Sequence, residues 1–128
     1  MKPNQIIQLT AFLTALTKLN EPLPENIQIK LNDIGKTMAT DVNNFNVDII
    51  AESYPILDKI YQAELTAIDS IISQRNKGLE PEPLPTDPTQ ELTNAAMNSF
   101  NDSNSVDAAK KVVNSSLLER VRKFIIGK

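Results

Sequence analysis

VDIIAESYPILDKIYQAELTAIDSIISQRNK, residues Val47–Lys77, is the stretch that decides how this chain folds. Ile50, Tyr54, Leu57, Tyr61, Leu65, Ile68 and Ile72 recur in it at steps of three and four. That spacing puts seven large side chains on one stripe of a long amphipathic helix. A weaker stripe of Ile49, Ile56, Ala63 and Ala67 runs beside it, with Ile60 and Ile71 on the shoulder between the two. So wide an apolar arc suits a helix with neighbours on both sides, so the stretch reads as the central helix of a bundle. Pro55 interrupts the stripe. Either it kinks one long helix, or a lead turn capped near Ser53 ends and the main helix starts at Tyr54–Pro55. The stripe keeps its phase across Pro55, which favours the kink. Arg75, Lys77 and Gly78 suit the C-terminal end of this helix.

Two helices are expected before it. Pro3 can open the first without losing a hydrogen bond. Ile6, Leu9, Phe12, Leu13, Leu16 and Leu19 form one face of it, with Ala11, Thr14, Ala15 and Lys18 opposite. It should run to about Asn20, where Glu21-Pro22-Leu23-Pro24 breaks it. Pro24 can open the second, with Glu25 in its first turn. Ile27, Leu31, Ile34, Met38, Val42 and Phe45 then make a narrow stripe, close to a coiled-coil seam. Gly35 beside it costs about 1 kcal/mol of helix propensity against Ala. Either a close crossing explains it or it is a tolerated surface glycine. Asn43 to Asn46 marks the next turn.

After the main helix comes Leu79-Glu80-Pro81-Glu82-Pro83-Leu84-Pro85-Thr86-Asp87-Pro88. Four prolines in ten residues exclude a helix and make a stiff extended spacer of about 3 Å per residue. Pro85-Thr86-Asp87-Pro88 has bare PxxP spacing, but acidic rather than basic residues flank it, so the spacer reading stands. Asp87 or Thr89 can cap helix four, whose apolar content is thin: Leu92, Ala95, Ala96, Met97 and Phe100. Ser105 can cap helix five, in which Val106, Ala109, Val112 and Val113 share a face. The face rotates after Asn114-Ser115-Ser116 to Leu117, Leu118, Val121, Phe124 and Ile125, so helix five is expected to bend or break near Ser115.

Composition limits the chemistry. The 128 residues hold no cysteine and no histidine. Disulfides, thiolate metal sites and His-based general acid–base or nucleophilic catalysis are therefore excluded. Only three glycines are present, and no phosphate-cradling loop is among them. Carboxylates are the only acid–base groups left; Asp41 and Glu64, at the edges of their stripes, can approach one another, and solvated or salt-bridged carboxylates are the plainer reading. After Lys2, the apolar residues from Ile6 to Leu19 are interrupted by Gln8, Thr10, Thr14 and Thr17 and have helical periodicity rather than the solid apolar block of a signal peptide. The expectation is a cytoplasmic protein without a membrane span, and its Asn101-Asp102-Ser103 and Asn114-Ser115-Ser116 sequons are expected to be idle.

Charge is unevenly spread. Residues 1–105 carry seven basic and fourteen acidic side chains, a balance of −7, and residues 106–128 carry six and two, a balance of +4. The basic end interleaves with apolar residues. Lys110, Lys111, Leu117, Arg120, Val121, Arg122, Lys123, Phe124 and Ile125 form the candidate partner-binding surface. A basic amphipathic helix can enter a groove on a protein, lie on an anionic membrane or contact phosphates. Its charges also complement a helix dipole and the acidic body of the same chain.

An all-α fold is therefore expected. Residues 1–78 form an antiparallel three-helix bundle core, 79–88 a Pro/Glu-rich spacer, and 89–128 a C-terminal helical segment. That segment completes the bundle or packs on a second copy. The expected function is a non-catalytic protein–protein interaction module (adaptor, assembly or regulatory subunit), homodimeric, with no catalytic, cofactor or metal residues. The alternatives are a nucleic-acid-associated regulator using the basic C-terminal helix and a helical domain that binds a small molecule or a carboxylate-held metal.

Overall fold

The structure is a computed structural model that describes residues 3–41, 45–75, 89–113 and 117–121. All of the regular structure among them is helical: α1 (Pro3–Thr17), α2 (Glu25–Thr40), α3 (Val47–Glu52), α4 (Pro55–Arg75), α5 (Thr89–Phe100), α6 (Ser105–Val112) and a last helical stretch at 117–121. The all-α class is as expected. Several details differ.

The centre is α1 and not the 47–77 segment. α1 packs against α3, α4, α5 and α6. Its large face is buried, as the spacing predicts, but so is the opposite face of Ala11, Thr14 and Ala15. A helix covered on two opposite faces must be apolar or self-satisfied on both. Here the small residues let neighbours approach, and the threonines satisfy themselves. Thr10 Oγ1 donates to the Ile6 carbonyl and Thr14 Oγ1 to the Thr10 carbonyl, each at 2.7 Å. Neither buried hydroxyl is left to desolvation. Phe12 is the meeting point. Its ring lies edge-on to Tyr61 of α4 at 5.8 Å and to Phe100 of α5 at 5.6 Å. Such pairs add about 0.5–1.5 kcal/mol each beyond the area they bury.

Pro55 breaks the helix and does not kink it. α3 ends at Glu52, Tyr54 is not helical, and α4 starts at Pro55. Ser53 does not cap α4. Its hydroxyl donates back to the Ile49 carbonyl at 2.9 Å and so closes α3. The Tyr54 carbonyl accepts the first bond of α4, from the Asp58 amide at 3.0 Å. The reason for the break is visible at Tyr61, whose hydroxyl donates to Asp48 at 2.6 Å. In one continuous helix those residues would lie about 20 Å apart along the axis. The chain therefore doubles back, and α3 packs against α4. The stripe keeps phase because both pieces face one core: Ile50, Leu57, Tyr61 and Ile68 are all buried.

The strong stripe packs on α1 along α4, its start on α3 packs on both α1 and α2, and α2 also packs on α5. Ile27, Leu31 and Met38 are buried in the seam of α2, and so are Gln28 and Gly35 beside it. Glu25 lies in the first turn of α2 as expected, but Pro24 stands in the N-cap position and does not open the helix itself. The last two helical segments pack in the same core: α5 on α2 and α1, α6 on α5 and α1. The thin apolar content of α5 is fully used, with Leu92, Ala95, Ala96 and Phe100 buried. Helix five is broken. α6 ends at Val112, Val113 is extended, and helix resumes at 117–121. The spacer at 79–88, Val42, Lys77 and Gly78 lie outside the described residues.

Candidate interaction surface

The turn between α5 and α6 is held by side chains of α2. The Gln28 amide nitrogen donates to Ser105 Oγ at 2.7 Å and to the Asp102 carbonyl at 3.1 Å, while its oxygen accepts the Ser105 amide at 3.0 Å. One turn on, Asn32 Nδ2 donates to the carbonyls of Phe100 and Asp102. One turn further, Gly35 leaves room for Asn101, whose side-chain atoms lie 2.9 Å from where a Cβ would sit. Positions 28, 32 and 35 share one helix face, so three short residue types cradle one turn. This also corrects the cap of α6. Asn104 is the N-cap, accepting the Asp107 amide at 3.1 Å, and Ser105 is turned to Gln28.

The candidate partner-binding residues divide three ways. Leu117 and Val121 are buried in this chain's own core. Lys110, Lys111 and Arg120 are exposed, and two of them pair with acids of the same chain. Lys111 meets Asp107 at 3.0 Å, one helical turn back, and that hydrogen bond holds its ammonium above the usual lysine range. Arg120 takes both carboxylate oxygens of Glu91, tying 117–121 to α5. Arg122, Lys123, Phe124 and Ile125 lie outside the described residues.

Asp41 and Glu64 are not brought together as a site. Asp41 is exposed just beyond α2. Glu64 is buried on α4 and bound by the Lys18 ammonium. Among the described residues no group of three or more acidic side chains could hold a metal ion. Tyr61 is fully buried with its hydroxyl on Asp48, and Tyr54 is half-buried against the core. Burial and then the Asp48 bond push the Tyr61 phenol above the ordinary tyrosine range.

What stays uncovered is the weaker stripe. Ile49 is 51% exposed and Ile56 is 59% exposed, and Ala63 and Ala67 face solvent after Ile56 on α4. Ile60 between them is half-buried. Among the described residues only Ile29, on α2, is another large aliphatic side chain so exposed. The packing of α5 and α6 on α1 leaves this side of α3 and α4 open. Single exposed apolar residues are ordinary on protein surfaces. Ile56, Ala63 and Ala67 recur at helical spacing along α4 and make a run of exposed apolar side chains that water solvates poorly, with Ile49 on α3 across the break. Among the described residues no helix is long and apolar enough to cross a membrane. Comparison of the chain with known protein families, curated proteins and solved structures finds no match.

Proposed function

We propose that this chain is a non-catalytic protein–protein interaction module, working in the cytoplasm as an adaptor, assembly or regulatory subunit, and that it self-associates as a homodimer. The observation that carries this reading is the open apolar side of α3 and α4, with Ile49 and Ile56 more than half exposed. Two copies meeting there would take both isoleucines and the alanines of α4 out of water. Full burial of an isoleucine is worth about 1.5–3 kcal/mol, and these start half covered, so the gain per residue is smaller. Ala63 and Ala67 suit a close helix–helix approach because they hold the neighbour off so little. The absence of His and Cys from the sequence supports a role without acid–base or nucleophilic chemistry.

The test is the mass of the full chain in solution, measured by sedimentation over a range of concentrations, beside an I49K/I56K variant. The reading expects dimer for the natural chain and monomer for the variant, with equal helical circular dichroism. A natural chain that stays monomeric at the highest concentration overturns self-association. A variant that dimerises as well as the natural chain removes the α3–α4 side from it.

A further inference from the structure

We draw no further inference here: the strongest candidate beyond the surface already described, the shallow groove between α1 and α4 lined by Ile7, Gln8, Leu65, Thr66 and Asp69, is open to solvent, and nothing in the structure shows what covers it.

Discussion

The hydroxyl of Tyr61, in α4, donates a 2.6 Å hydrogen bond to the carboxylate of Asp48, in the first turn of α3, across the break at Ser53–Tyr54. The bond holds the two helices in their folded-back arrangement and satisfies a phenol whose ring is entirely buried. Removing it with Y61F should cost about 1–2 kcal/mol, toward the low end for a bond to a charged acceptor because Asp48 keeps some water. The pH dependence has a definite sign. Burial raises the folded-state phenol pKa above the ordinary 10.0, so the unfolded chain loses its proton first. Stability from Tyr61 is fully present below about pH 10 and is lost as pH rises beyond it, at up to about 1.4 kcal/mol per pH unit. Y61F has no such loss. Urea unfolding at pH 7 and at pH 11 should therefore show the gap between natural chain and variant narrowing. A gap that stays constant would mean that the phenol ionises alike in both states.

Gln28 serves the α5–α6 turn with both ends of its amide. Q28A strands the Ser105 amide and hydroxyl in a buried position, and each stranded group costs about 1–3 kcal/mol. N32A removes donors only to carbonyls near the surface and should cost less than half as much. Chemical denaturation ranks the two. Hydrogen exchange at the Ser105 amide gives a local check, with protection falling in Q28A and little changed in N32A.

The helices were legible because their boundaries are written in prolines, caps and periodic isoleucines. Pro24 and Pro55 both punctuate where local chemistry says they must. What periodicity hid was rank. The stripe of 47–77 is the longest, yet α1 is the centre, because Ala11, Thr14 and Ala15 count as weak in an apolar pattern while their smallness is what admits neighbours. The Pro55 choice failed for a related reason. A stripe in phase across a proline fits a kinked helix and a folded-back pair equally well, and the deciding contact, Tyr61 to Asp48, is not local. The cradle of Gln28, Asn32 and Gly35 was invisible for the same cause, since its partners lie about seventy residues away in sequence. Of the candidate surface, the interleaved charges and apolar residues of 110–125 misled in part. Leu117 and Val121 fill the core, and the arginine between them answers Glu91.

Gly35 gives a test of the close approach by Asn101. An alanine there gains about 1 kcal/mol of helix propensity, but its methyl would press on the Asn101 side chain. That side chain can swing out at the cost of its 2.9 Å bond to the Met97 carbonyl. In the natural background G35A should therefore be nearly neutral. In an N101A background it should stabilise by about 1 kcal/mol. The double-mutant cycle measures the difference, and a coupling near zero would show that the two residues do not crowd each other.

Glu64 is buried and its Lys18 partner is half in water. Breaking such a pair from the lysine side leaves a carboxylate short of a partner, whereas replacing the carboxylate by an apolar group removes the problem. K18M should thus destabilise more than E64L, by about 1 kcal/mol after allowing for the exposure of the lysine. Melting temperatures at low and at high salt check this. The reverse order would mean that the other contacts of Glu64 matter more than Lys18 does.

The last prediction concerns the chain cut after residue 78. From the sequence, residues 1–78 read as a three-helix core. The structure gives α1 four neighbours, two of which, α5 and α6, lie beyond the cut. Truncation would uncover the Phe12 edge that faces Phe100 and would leave α2 without α5. Leu92, Ala96, Phe100, Val106 and Ala109 are all buried in the shared core, so the loss is several large side chains' worth of cover. At about 1.5–3 kcal/mol for each large one, that is comparable to the roughly 5–15 kcal/mol by which small domains are usually stable. The 1–78 fragment should therefore lack a cooperative unfolding transition by circular dichroism, while the full chain has one. Adding a separate 89–128 peptide should restore the transition if α5 and α6 take the same places in trans. A fragment that melts cooperatively alone would show that α1 to α4 suffice as a core.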